Sequence, residues 1–264
     1  MNIKDYTRAN QAAWDEAAPY HEKACFKELE NSFKQAGFST LDDTAQGILS
    51  TIGLKNKNVA QLGCNNGREL LSVKNLGASR CTGFDISKNF ISQAVHLAEV
   101  SNLECNFISG DLYDIPSSYD NVFDLVFSTI GVLGWMPDLQ KFFAVSRRLL
   151  RQGGWLFIYE MHPILDMYEP DCQNNPPELV YSYFKDTPWK DTSGLDYYSK
   201  NEYQASPAYY FHHTLSQVVS GCINAGYIIK SFSEYPHDIS NEYAFLEGLS
   251  TRLPMCFTLT AQAT

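Results

Sequence analysis

The sequence has no C-x-x-C pair, no basic stripe and no apolar run long enough to cross a bilayer. Its 7 cysteines, at 25, 64, 81, 105, 172, 222 and 256, are scattered and odd in number. That distribution argues against a disulfide framework or a zinc site and suits a reducing cytosol. Lys and Arg total 20 against 30 Asp and Glu, and the densest basic stretch is the short SRRLLR at 146–151. An acidic chain without a basic face grips a phosphate backbone poorly, so no nucleic-acid partner is expected. The most apolar stretch, VFDLVFSTIGVLGW at 122–135, is too short for a membrane span and carries a charge. The opening residues, MNIKDYTRANQAAWDEAAPYHE, lack the apolar core of a signal peptide. These absences predict a soluble, cytoplasmic protein with no membrane partner. Metal-ligand spacing is missing as well, because His212 and His213 are adjacent, His162 stands apart and no H-E-x-x-H occurs. No metal is expected.

What is present is apolar substance, 44% of 264 residues, enough for a sizeable core. Residues 1–57 read as a helical cover, with Leu41, Ala45, Ile48, Leu49 and Ile52 on one face. From 58 to 162 short apolar runs alternate with helical stretches, the signature of a parallel sheet covered by helices. Ser87 is placed to cap the helix carrying Ile91, Ala94, Val95 and Ala98, and a later helix carries Leu139, Phe142, Phe143, Ser146, Leu149 and Leu150. Residues 163–211 break this rhythm with prolines, acids and many aromatics, which reads as an inserted lid over a substrate; for the aromatic-rich 181–211 a dimer contact competes, and nucleic-acid stacking ranks third because the interleaved charges are mostly acidic. Residues 212–264 resume it: Thr214 and Gln217 form a capping box, and Met255, Phe257, Leu259 and Ala261 alternate as in a half-buried last strand.

The stretch NVAQLGCNNGREL, 58–70, lies where the first strand of such a sheet turns into its helix, the usual ligand position. A dinucleotide fingerprint needs glycines at 63, 65 and 68, but Asn65 and Arg68 occupy two of these places, and no G-x-x-x-x-G-K-[ST] is present. A nicotinamide-dependent oxidoreductase is therefore disfavoured. The spacing fits acid-x-G-x-G-x-G on 61–67, with Gln61 in place of the acid and Asn65 in place of the middle glycine. Asparagine is the side chain that best tolerates a left-handed backbone there. Such a turn either cradles S-adenosylmethionine or is simply tight. Asp85, ending the second strand, either accepts both hydroxyls of a ribose or caps the next helix. Asp111 either meets an adenine amino group, with Leu112 packed on the ring, or is a plain loop acid. Ser128, Thr129 and Gly131 are small enough for a ligand to approach the backbone.

Taken together, LGCNNG, GFDIS, GDLYDIP and FDLVFS…LLRQGGWLFIYE resemble, in order and spacing, the core of class I S-adenosylmethionine-dependent methyltransferases over residues 58–161. Outside that core, GVLGWMPDLQKFF, EMHP, HHTLSQVVSGCINAGY and SEYPHD resemble a subgroup of uncharacterised small-molecule methyltransferases. The resemblance implies an α/β, Rossmann-like doubly wound sheet of seven strands, the last antiparallel. It also implies S-adenosylmethionine as cofactor, with S-adenosylhomocysteine as product. Carried onto matching positions, Gly63, Asn65 and Gly67 would line the methionine part, with Leu62 and Cys64 beside them. Asp85 with Ile86 would hold the ribose, and Gly110, Asp111 and Leu112 the adenine. Ser128 and Thr129 would lie under the sulfonium, and Tyr20 would close over the carboxylate end.

On the acceptor side, strand alternation sends Glu160 and His162 to one side of YEMHP. His162 is the candidate base, or else a residue that orders the lid entrance. Trp135 is the candidate wall of the substrate pocket, or else core, and His213 reads as structural. The activity this implies is methyl transfer to a small-molecule acceptor by a monomer or homodimer. The alternative is a non-catalytic protein of the same fold that senses S-adenosylmethionine or S-adenosylhomocysteine.

Overall fold

The computed structural model describes residues 1–172, 177–199, 203–250 and 252–264. The chain opens with helix α1 (Ile3–His21), started by a capping box between Asn2 and Asp5. A short π-helical turn (Glu22–Phe26) follows the internal Pro19, and α2 (Lys27–Phe33) and α3 (Asp43–Ile52) complete the helical N-terminus. Then come β1 (Asn58–Leu62), α4 (Arg68–Asn75), β2 (Arg80–Asp85), α5 (Lys88–Ser101), β3 (Asn106–Ser109), β4 (Phe123–Thr129), α6 (Leu139–Leu149) and β5 (Leu150–Met161). Ser87 caps α5 by accepting the Phe90 amide, as the sequence predicts.

These strands and two later ones, β8 (Tyr227–Tyr235) and β9 (Cys256–Ala263), form one sheet in the order β3-β2-β1-β4-β5-β9-β8. The first five run parallel, and β9 lies antiparallel to both of its neighbours. The strand order reverses between β1 and β4, so a crevice opens at their carboxyl ends. Helices cover both faces. Phe142 and Phe143 of α6 and Val218 and Cys222 of α7 (Leu215–Asn224) pack on one, and Leu49 of α3 with Leu70 and Val73 of α4 on the other.

The last strand differs from expectation. The alternation in 255–261 reads as core against solvent, yet β9 is an interior strand between β5 and β8. Its threonines are as hidden as its apolar residues: Thr258 is 3% exposed and Thr260 8%. The alternation separates one covered face from the other, and Thr258 keeps its hydroxyl bonded by facing that of Tyr235 at 3.2 Å.

Within 163–211 the chain makes a single turn of 3-10 helix (Leu165–Met167) and a small antiparallel pair, β6 (Trp189–Asp191) with β7 (Ala208–Tyr210). Asn10 of α1 holds β7 as a neighbouring strand would, with its amide oxygen accepting from the Tyr209 amide at 2.7 Å and its nitrogen donating to the Tyr209 carbonyl at 2.9 Å.

The close contact between the first helix of the sheet and its neighbours rests on Gly67. Its φ is +78°, and a Cβ there would fall 2.6 Å from the Phe107 ring and 3.0 Å from the Ala94 methyl. The packing glycine that a dinucleotide turn keeps at 68 is thus supplied one residue earlier, and Gly67 belongs to helix–sheet packing rather than to a ligand wall. Gly67→Ala should cost about 2–4 kcal/mol of stability, from the left-handed backbone and the overpacking together. Urea unfolding would check it.

Candidate ligand cavity and active site

Beyond the carboxyl ends of β1, β2 and β4 the structure encloses a cavity of about 720 Å³, within the size range that buries small organic ligands. Its floor is the turn after β1. Gly63, Asn65 and Gly67 all take positive φ, at +70°, +48° and +78°, so the alternating left-handed backbone of a G-x-G-x-G turn is preserved with asparagine in the middle. The amides of Gly63 and Cys64 both donate to the Phe84 carbonyl, at 2.8 and 3.0 Å, which folds the turn toward β2. At Gly63 a Cβ would lie 2.7 Å from Val132, so the turn and the loop after β4 meet without a side chain between them.

Asp85 binds two turns together. One carboxylate oxygen accepts from the Asn65 amide at 2.7 Å and the other from the Ser87 amide at 2.9 Å. The cap of α5 is Ser87, so Asp85 is not needed for that task. Burial pushes the Asp85 carboxyl up to about 6, against the pull of the two amides. Gln61 is 1% exposed, donates its amide to the Thr129 hydroxyl at 3.2 Å, and leaves its own carbonyl oxygen buried without a partner. An orphaned acceptor of this kind costs about 1–3 kcal/mol, and a ligand donor in the cavity would relieve it. Asp111 is more heavily committed. It takes the Tyr113 amide at 3.0 Å, the Thr7 hydroxyl at 2.8 Å and Lys4 at 3.1 Å.

Of the positions singled out in the sequence, Gly63, Asn65, Asp85, Ile86, Asp111, Leu112, Thr129 and Trp135 line this one cavity. Others do not. Leu62 and Cys64 are fully buried in the core, and Gly67 packs as described. Gly110 lies outside the lining. Ser128 turns inward and donates to the Leu62 carbonyl at 2.8 Å. Tyr20 stacks on Tyr203, with ring centroids 4.6 Å apart, instead of closing over the cavity.

The two proposed acid–base residues are withdrawn as well. His162 is 5% exposed. Its Nδ1 accepts the Ile164 amide at 3.1 Å, so Nε2 carries the hydrogen and donates to Glu234 at 2.9 Å. Burial holds its pKa below the ordinary histidine value, against the pull of Glu234. With both nitrogens engaged, it has no lone pair to offer a substrate. Glu160 accepts the amides of Gly131, Leu133 and Met161 at 2.5, 3.1 and 2.9 Å. Burial raises its pKa against those three bonds. Alternation does place Glu160 and His162 together, but around a separate cavity of about 20 Å³. His213 holds the Met136 carbonyl at 2.8 Å, in keeping with a structural role.

Sequence reasoning expected a helical cover at the N-terminus but missed Thr7 and Asn10 of α1, which reach the cavity with Trp14, whose ring meets Trp135 edge to face at 5.1 Å. Their spacing of three and four residues was the available signal. It also missed the rings of Tyr197, Tyr210 and Tyr243 and the acid Asp166.

Comparison with known proteins agrees with this geometry. The family described as "Methyltransferase domain" matches residues 60–158. A tRNA U34 carboxymethyltransferase of Campylobacter hominis is 32% identical over 113 residues, 41% of this chain and 37% of that protein. An uncharacterized protein of Methanocaldococcus jannaschii is 35% identical over 86 residues, covering 33% of this chain and 35% of its own. The chain thus spans little more than a third of these curated relatives. In fold, an S-adenosylmethionine-dependent methyltransferase from Mesorhizobium loti superposes with a TM-score of 0.62 at 19% identity, covering 82% of this chain and 96% of that one. The methyltransferase-domain match covers residues 60–158, and the superposition shows that the chain shares the fold of these enzymes.

The three amides on Glu160 imply a measurable dependence. Glu160→Gln leaves one acceptor oxygen and turns a donor toward an amide, so it should cost about 2–4 kcal/mol. Denaturant unfolding would show the loss, and hydrogen exchange should quicken at Gly131 and Leu133.

Proposed function

We propose that this protein transfers a methyl group from S-adenosylmethionine to a small-molecule acceptor. The observation that carries this reading is the continuity of one cavity, from the left-handed turn and Asp85 at one end to an aromatic, acid-bearing end lined by Asp166, Trp189 and Tyr210. Bound S-adenosylmethionine supplies an already activated methyl group, so the protein chiefly has to align an acceptor and exclude water. On this reading the Asp85 carboxylate accepts the ribose hydroxyls beside Ile86, and Leu112 packs on the adenine next to Asp111. The backbone at Gly63 and Asn65 and the orphaned oxygen of Gln61 receive the methionine part and its ammonium. Residues 1–57 act as a cover and 163–211 as a lid, with Trp135 between the two ends.

A small molecule suits the site better than the kind of polymer named for the Campylobacter relative. The chain carries 30 acids against 20 bases, and Arg68, already paired with Glu69 at 2.7 Å, is the one cationic side chain among the described lining residues. A polyanion finds little to hold there. The withdrawal of His162 and Glu160 from the cavity favours a second reading, a non-catalytic binder, which would bind the cofactor without turnover.

Calorimetric titration should show S-adenosylmethionine and S-adenosylhomocysteine binding and NAD failing to bind. Silence from both sulfur ligands would sink the proposal. Asp85→Ala should weaken binding on the order of a hundredfold, through two lost charge-assisted bonds. Because the Asp85 carboxyl sits at about 6, it is ionised and accepting above that pH and protonated below it. Affinity should therefore hold through neutral pH and fall as the pH drops through about 6. Asp85→Asn should flatten that part of the profile.

A further inference from the structure

The end of the cavity away from the β1 turn is walled by rings. Trp135 meets Tyr210 edge to face at 5.4 Å, Trp189 stands 6.0 Å from Tyr210, and Tyr181 lies edge-on to Trp189 at 5.6 Å. Gly134 makes room for this wall, since a Cβ there would fall 2.1 Å from the Tyr210 ring. Asp166, Glu169 and Asp191 stand among the rings, and no Lys, Arg or His side chain lines this end among the described residues. Lys185 lies over Trp189, 5.0 Å from the ring centroid, but is not part of the lining.

Asp166 is the most enclosed of these acids, its side chain 13% exposed. Among the described residues it has one hydrogen bond, from His212 Nδ1 at 2.8 Å. The His212 side chain is 1% exposed, and its Nε2 is buried with no partner. With a carboxylate as its partner, Nδ1 carries the hydrogen of this bond. Asp166 is therefore a nearly buried carboxylate at the edge of a cavity, with His212 as its one hydrogen-bond partner among the described residues. Burial accordingly raises its pKa, and His212 only partly opposes the rise. Such a group calls for a cation, and aromatic faces around it favour one further.

We propose that this end of the cavity recognises a protonated amine carried on an apolar or aromatic body, with Asp166 as its counter-ion. This rests on the methyltransferase reading and names the acceptor class for the same site. The rings supply the apolar contact and the face-on attraction for the ammonium. A carboxylate or phosphate in the same place would meet like charge on every side.

The test is calorimetric titration of the full chain with benzylamine, phenethylamine and tryptamine. Each is matched to the alcohol and the carboxylate of the same skeleton, with and without saturating S-adenosylhomocysteine. In the pairs that bind, the amine should exceed its alcohol at least tenfold in affinity, and the carboxylates should not bind. Asp166→Asn should erase the amine's advantage while leaving S-adenosylhomocysteine affinity within twofold, which also shows that the variant is folded. Gly134→Ala, which displaces Tyr210, should weaken amine and alcohol alike. The inference is overturned if no amine outbinds its neutral or anionic counterpart, or if Asp166→Asn keeps the preference. Failure of S-adenosylhomocysteine to bind would instead count against the methyltransferase reading, and the amine series without it still judges this end of the cavity.

Discussion

One buried carboxylate holds the centre of this molecule. Glu160, at the end of β5, gathers the amides of Gly131, Leu133 and Met161, and so folds the loop after β4 back over the sheet. That loop is strained at its start. Ile130, a β-branched residue, sits at φ +32°, a conformation costing about 1–3 kcal/mol that persists only where its surroundings over-determine it. The Ile130 amide is tied to the Tyr159 carbonyl at 2.9 Å, and the Glu160 bonds follow immediately. The consequences spread through the cavity. Val132 is set against Gly63, Gly134 beneath Tyr210, and Trp135 between Trp14 and Tyr210. The two ends of the cavity meet at this loop.

The N-terminal helix depends on the same arrangement from the other side. Thr7, Asn10 and Trp14 share the stripe of α1 that faces the cavity. Neighbouring polar residues dock it on the turn after β2: Gln11 donates to the Ile86 carbonyl at 3.0 Å, and Asp15 accepts the Ser87 hydroxyl at 2.6 Å. Ser87 is also the residue whose amide reaches Asp85. The proposed cover is therefore bonded to the element that presents Asp85. Trp14, which reaches Trp135, links it as well to the loop held by Glu160.

Local sequence revealed what local backbone determines. The turn at 63–67 was legible because positive φ restricts Gly63, Asn65 and Gly67 to glycine and asparagine, Asp85 because it ends a strand of recognisable length, and Asp111 because it follows one. The parallel core followed from alternating runs, and the count of seven strands with the last antiparallel from the family resemblance. Glu160 and His162 show the limit. Alternation correctly placed both on one side of the strand, but whether a side chain faces solvent, a ligand or its own backbone depends on the loop that closes over it. Gly131, Leu133 and Ile164 consumed their bonding capacity. Ser128 was lost in the same way, to the Leu62 carbonyl. The ring wall was illegible for another reason: Trp135, Trp189 and Tyr210 come from three separated segments with no shared period. The aromatic richness of 181–211 hinted only that something was being covered.

Hydrogen-bond satisfaction divides the buried acids more sharply than burial does. Burial raises the carboxyl pKa of Glu160, Asp85 and Asp166 alike, so each resists being charged. Glu160 answers with three backbone amides and lies off the large cavity. Asp85 has the amides of Asn65 and Ser87 and lines it. Asp166 has one bond among the described residues, from His212, and lines it too. The less the protein itself does to stabilise a buried charge, the more of that stabilisation is left to a ligand. By that ordering Glu160 is architecture. On the readings proposed above, Asp85 then meets neutral hydroxyls, which need only an acceptor, and Asp166, with fewer bonds of its own, meets a positive charge.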